Sequence, residues 1–275
     1  MAVRPTRSDI PLPPFAPGLT WIGGEPPVSE RLTARGPLLV HFFEIGELSS
    51  VRTLPFVATL HRRLGAHRLA VVGVHSPRSG LARTDEDLVG ALARLDVPFP
   101  VANDRDHRIW HAYGCEGWPS TFLWSEGGTL RWAHFGEGAY HETEAAIRAE
   151  LVSGGEDEGE LPASVLDAPP AGPGPEIEHP SDEAFPGGSH DKPWRGRPGE
   201  PLEVEYAGAG AWAALGGRGE VEIRVDGEAA EPIAVVAPGL YEVSRHPSHG
   251  LHEVALWPRG SVQIWSVAFA PGAPA

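Results

Sequence analysis

Thiol chemistry in this sequence would have to run through Cys115, the one cysteine in 275 residues. An intramolecular disulfide is impossible, and a cysteine-rich zinc site is excluded. Cys115 lies in Tyr113–Gly114–Cys115–Glu116–Gly117–Trp118–Pro119. A lone thiol in such a loop could be a peroxidatic or glutathionylated cysteine. It has no basic activator beside it, however, and the adjacent Glu116 carboxylate raises a thiol pKa rather than lowering it. An inert thiol is the expected reading. A second concentration of polar groups is His41, Glu44, Glu47, Ser49 and Ser50, all within ten residues. Here His41 can pair with Glu44 or Glu47 and tune a site; a strand histidine satisfied by the backbone is the plainer expectation.

Thirteen histidines are spread along the chain. His179 and His190 sit among acids, and His246, His249 and His252 cluster near a turn. Such groups take up metals weakly, so no specific metal site and no cofactor is expected. The remaining candidates are aromatic. Trp212, Tyr241, Trp257 and Trp265 could stack on the C–H faces of pyranose rings, although aromatics in alternating strands are more often core. Trp257 precedes Pro258 at a turn and is the best exposed candidate, whereas Trp265 and Phe269 read as core.

Two kinds of element must position these residues. Pro37–Phe43 and Leu69–His75 are nearly continuous apolar runs, as buried parallel strands are. Between them, Ser49–Leu64 has helical spacing. Thr84–Leu95 reads as a helix whose first turn holds Asp85, Glu86 and Asp87, where the macrodipole favours anions. Phe99–Ala102 is a short strand and Arg105–Tyr113 a short helix. Ser120–Trp124 and Thr129–His134 flank Gly127–Gly128 as a hairpin, and Glu142–Leu151 closes the block. The order implies an α/β domain with a mixed central sheet and helices on both faces. Beyond residue 200 the period changes to alternation. Residues 202–206, 221–225, 233–235, 240–243, 254–256 and 262–269 are short strands, with turns at Gly216–Gly217, Asp226–Gly227, Pro238–Gly239, His249–Gly250 and Arg259–Gly260. That spacing implies an all-β sandwich or jelly roll.

Composition links the two blocks. The chain carries 29 Pro and 34 Gly, against a helical bundle, and a formal charge of −15, against general nucleic-acid binding. Residues 151–200 hold eleven of the acids with nine Pro and nine Gly, which reads as a mostly extended acidic linker onto which Phe185 and Trp194 can dock. The expected layout is an N-terminal extension over 1–19, the α/β domain over 20–151, the linker over 152–198 and the small sandwich over 199–272. No apolar run reaches the ~18 residues of a membrane span, so a cytoplasmic protein without membrane contact is expected.

Particular words sharpen the α/β reading. Val40–His41–Phe42–Phe43, Val51–Arg52–Thr53–Leu54–Pro55–Phe56, Val72–Gly73–Val74–His75–Ser76–Pro77, Trp118–Pro119 and, most specific, Phe135–Gly136–Glu137–Gly138–Ala139–Tyr140 occur in this order. Together they resemble the thioredoxin-like domain of the TlpA/redoxin (AhpC/TSA-type) family, in the variant found at the C-terminal end of DipZ-type proteins. In that family a sandwich resembling a carbohydrate-binding module often follows, and residues 201–272 look like it. The resemblance implies a Cys-x-x-Cys pair between the first core strand and its helix. On the flanking words those positions fall on Glu47 and Ser50, in Glu47–Leu48–Ser49–Ser50. Disulfide exchange needs two sulfurs, so dithiol chemistry is excluded there. Glu47 would place a permanent anion in the helix-terminal field, and Ser49 or Ser50 can cap the helix. Pro119 aligns with the family's cis-proline, beside which an extended peptide can pair. His41 stands where the resemblance implies a buried acid.

The expectation is a redox-inactive thioredoxin-like protein that binds a peptide, protein or small ligand at the former active-site edge, around Glu47–Ser50, Trp118, Pro119, His41 and Glu44. The alternatives are a thiol oxidoreductase or peroxidase working through Cys115, and glycan binding by the sandwich through Trp257, Trp212 and Tyr241.

Overall fold

The computed structural model describes residues 2–3, 10–82, 84–167, 176–196 and 199–274. Its contacts divide the chain into two compact units. Unit 1 comprises residues 1–44, 49–76 and 95–169; unit 2 comprises 45–48, 77–94 and 170–275.

Unit 1 is built on a seven-stranded mixed sheet. Its strands are β1 (Ala2–Val3), β2 (Thr20–Ile22), β3 (Leu38–Phe43), β4 (Ala70–His75), β5 (Val101–Asn103), β6 (Ser120–Trp124) and β7 (Leu130–Phe135). They are ordered β1-β7-β6-β3-β4-β5-β2. β3, β4 and β5 run parallel; the other neighbours are antiparallel. Every residue of β3 is buried, which is why its sequence is apolar without alternation. Phe42, Phe122, Tyr113 and Trp110 interlock edge-to-face on one side of the sheet. The helices are α1 (Ser29–Thr33), α2 (Leu48–Leu64), α4 (Arg108–Ala112) and α5 (Tyr140–Ser153). A buried carboxylate places α4: Asp104 accepts the N–H groups of Ile109 at 3.1 Å and Trp110 at 2.9 Å, satisfying donors that a helix start leaves open.

Two segments at the periphery of unit 1 are held by hydrogen bonds. In the expected N-terminal extension, Ile10–Leu12 hydrogen-bonds to the β6–β7 hairpin, through Leu12 N to Gly128 O and Leu130 N to Ile10 O. At the other end, residues beyond α5 fold back on that helix. Glu144 accepts from Ser164 Oγ and Val165 N, and Arg148 donates to Pro162 O. The start of the expected linker is therefore held against α5.

Unit 2 contains α3 (Asp85–Arg94), opened by Thr84, whose hydroxyl accepts the Asp87 N–H. Its sheet consists of β8 (Leu202–Gly216), β9 (Gly219–Val225), β10 (Glu228–Val235), β11 (Gly239–Gly260) and β12 (Gln263–Phe269). All are antiparallel, in the order β10-β9-β11-β8-β12. Several short strands were expected; two long ones are found. β11 is 22 residues and β8 is 15. The first part of β11 pairs with residues 210–215 of β8, and the second with 202–208 of β8 and all of β9. Register shifts divide the two parts, and side chains from both share one core around Leu215, Ile223, Leu256 and Ile264. A single sheet thus supplies both faces of that core. Residues 176–196 also belong here: Ala184 pairs with Val267 and Trp194 with Ile264 along β12. Trp265, expected in the core, instead turns away from it and meets Gly80 and Gly216.

Candidate functional site

The segment that carries the sequence's departure lies at the head of α2. Ser50 is fully buried, and its Oγ accepts the backbone N–H of buried Glu44 at 3.2 Å. One turn later, Thr53 Oγ1 donates to Ser49 O at 2.7 Å. Glu47 is partly exposed and Leu48 buried. Both lie in the 45–48 segment of unit 2, where Leu240 N donates to Ile45 O at 3.0 Å. The Ser50 hydroxyl is thus used to hold the strand-to-helix turn.

His41 does not pair with Glu44 or Glu47. The β3–β6 register sets it opposite Thr121, and His41 Nδ1 lies 2.9 Å from Thr121 Oγ1. Its Nε2 is buried without a hydrogen-bond partner, and burial lowers its pKa to about 3. The imidazole is neutral and cannot act as a base near pH 7. The correction has a simple cause: cross-strand register, not sequence distance, decides what a strand side chain faces.

Trp118 and Pro119 are joined by a cis peptide bond. Trp118 Nε1 donates to Ser76 O at 2.9 Å, and its ring stacks on Trp110 at 4.3 Å. The partly exposed indole is held rigidly in place. Cys115 precedes it, 8 % exposed. Burial pushes its thiol pKa well up, Asp104 adds to this, and a hydrogen bond from Ser120 only partly opposes it. A thiol in this setting is not a nucleophile at neutral pH.

Sequence reasoning read Phe135–Tyr140 only as part of a resemblance. The structure shows what the loop does. Gly136, Gly138 and Ala139 have positive φ, which turns the chain back toward α2. Arg52 then pairs with Glu137 at 3.0 Å, while the Tyr140 hydroxyl lies 3.4 Å from both Glu137 Oε1 and Thr53 Oγ1. The void beneath, walled by Thr53, Phe56, His134 and Tyr140, has about 10 Å³, room for one water at most.

The aromatic candidates of unit 2 occupy separate settings. Trp257 lines a pocket of about 420 Å³ with Glu222, Arg224, Pro232 and Arg259; neither Trp212 nor Tyr241 contributes. Arg224 lies over the Trp257 ring at 5.5 Å, and Arg259 pairs with Glu222 at 2.9 Å. Trp212 is attended by Arg245 at 6.0 Å. The Tyr241 ring is covered by Arg94 at 4.2 Å, with its hydroxyl bonded to Ala237 O. A shared platform of the three is not formed.

No family model matches the chain. It is 28 % identical over 141 residues to Protein DipZ of Mycobacterium bovis and of Mycobacterium tuberculosis, covering 50 % of this chain and 20 % of those proteins. The matched stretch is thus about a fifth of their length. It is also 29 % identical over 128 residues to the thiol-disulfide oxidoreductase YkuV of Bacillus subtilis, covering 46 % of this chain and 84 % of that protein. Among solved structures, the solution structure of a thioredoxin-like protein in the oxidized form is 26 % identical with a TM-score of 0.48, covering 52 % of this chain and 95 % of the other. The chain holds a thioredoxin-like domain of the redoxin type, related to DipZ, followed by an antiparallel five-stranded sheet. Among the described residues, no helix is long and apolar enough to cross a membrane.

Proposed function

We propose that this DipZ-related, thioredoxin-like chain is redox-inert and works by docking an extended peptide or protein segment beside Trp118–Pro119. The observation that carries the reading is the state of its only candidate redox atoms. Ser50 Oγ is sealed and engaged by the Glu44 N–H, and the single thiol is buried with a raised pKa. Neither supplies the thiolate that disulfide exchange requires. What remains of an active-site edge is rigid and polar: the pinned Trp118 indole and the Arg52–Glu137–Tyr140 group. A void of about 10 Å³ favours an extended chain lying on the surface over a small molecule held within.

The test is insulin disulfide reduction with dithiothreitol. Wild type is expected to add nothing to the reagent alone, and a Glu47→Cys/Ser50→Cys variant to turn over. Turnover by wild type that disappears in Cys115→Ser would overturn the reading. Docking is checked by selecting peptides on the wild-type chain. Their affinity is expected to fall about tenfold or more in Trp118→Ala, as for a buried aromatic anchor.

A second reading is favoured by the Trp257 pocket. An indole flanked by two guanidinium groups and a carboxylate suits a saccharide, with the ring for C–H faces and the charges for hydroxyls. On a glycan array, wild type and Trp257→Ala should differ; identical profiles would remove this reading.

A further inference from the structure

We propose that Asp226, His246 and His252 form a binding site for one divalent transition-metal ion, with zinc the best fit. The three residues come from backbone features that each serve to bring them together. His246 and His252 lie on one strand, β11, and on a regular strand six residues would hold them ~20 Å apart. Register instead shifts between Arg245 and Gly250, where β11 advances from a partner at Gly210 only to one at Gly208, so the extra residues bulge out of the ladder. The two imidazoles meet face to face, with centroids 3.4 Å apart and planes 3° from parallel. Asp226 comes from the β9–β10 turn, where it and Gly227 both have positive φ. Its Oδ1 accepts the Glu253 N–H at 2.9 Å, and its Oδ2 lies 2.8 Å from His252 Nδ1. One donor atom from each of the three residues lies within 4.8 Å of the other two.

The donor set selects the ion. Two neutral imidazoles and a carboxylate are borderline ligands that suit zinc, copper or nickel, and suit calcium or magnesium poorly. Their supports resemble the outer contacts of metal sites: the Tyr206 hydroxyl lies 2.9 Å from His246 Nε2 and 2.7 Å from Ser244 Oγ. Binding replaces the His252–Asp226 hydrogen bond with coordination by both groups, turns the stacked rings so that both in-plane lone pairs meet the ion, and releases any proton held between His252 and Asp226. Three protein ligands leave one position open for water. His249, near in sequence, is no part of the set; its Nε2 faces Glu178 at 3.6 Å.

The test uses the full chain, without a histidine tag, stripped with chelator and titrated with zinc sulfate by calorimetry. Wild type should take up one equivalent and melt at a higher temperature with zinc. His246→Gln/His252→Gln should lose that equivalent, and Asp226→Asn should weaken it about tenfold or more. His249→Gln should retain it. Cobalt substituted into wild type should show the visible absorption of an ion held by protein nitrogen and oxygen, a readout that needs no variant to fold. The proposal is overturned if wild type takes up no stoichiometric zinc, or if the double variant keeps it. It is equally overturned if His111→Gln alone removes it, since His107 and His111, at the start of α4 and on it, form another close histidine pair.

Discussion

The two units use the same side chain in opposite ways. In unit 1, His41 and His75 lie in the central strands with no exposure, and burial holds both pKa values down to about 3. In unit 2, His246 and His252 lie beside a break in β11 with a carboxylate, a hydroxyl and solvent within reach. The first pair is kept neutral by lack of water; the second is oriented by hydrogen bonds. The contrast is between histidines sealed in the central strands of one unit and a histidine pair left accessible beside a bulge in the other.

The largest test of that contrast is acid. An unfolded chain protonates His41 and His75 near pH 6.5, whereas the folded unit resists until about 3. Their neutral burial contributes fully above pH 6.5, and stability is lost as pH falls below it. By pH 5 the two together should cost roughly 4 kcal/mol. Urea unfolding at pH 7 and pH 5 measures this, and His41→Gln should remove about half of the difference. An unchanged slope would break the comparison. Next in size is Phe42→Ala, at about 3–5 kcal/mol, because the ring is fully buried against Trp110, Tyr113 and Phe122.

Two aspartates repeat the contrast at smaller scale. Asp104 and Asp226 each accept backbone N–H groups, the first buried and the second exposed. Asp104→Ala should cost about 2–3 kcal/mol, for it strands buried donors, and Asp226→Ala about 1 kcal/mol or less. Equal costs by chemical denaturation would argue that burial is not what separates the units. Smallest is Arg245→Ala: its exposed pair with Glu242 should be worth under about 1 kcal/mol in a melting experiment.

Much of unit 1 was legible because its strands are apolar runs and its helices carry periodic or acidic starts. β3, α2 and β4 were expected within a residue or two of where they lie, as was α3 of unit 2. The short β1 and β2 escaped, being held by edge pairing that needs no side-chain pattern. In unit 2, β8 was cut short at Tyr206 because the small residues Ala207–Gly210 carry no alternation. β11 was divided because His246–His249 leaves the ladder. At the candidate site, Glu47 and Ser50 were found by resemblance to a motif. Thr121 was not, since the register that sets it opposite His41 cannot be read from either strand alone. Asp226 was seen as a turn residue; its place beside His246 and His252 depends on the bulge in β11.

The strip of residues 184–194 that runs beside β12 has a meaning for solubility. β12 is the outermost strand of its sheet, and an uncovered outer strand invites another chain to add to it. Residues 184–194 occupy that place, bonding at Ala184 and Trp194. Pro186 and Pro193 interrupt the strip and lack the N–H groups that a full strand would present outward. The chain thus covers this edge of its sheet with a segment of its own that offers a second copy a broken row of donors.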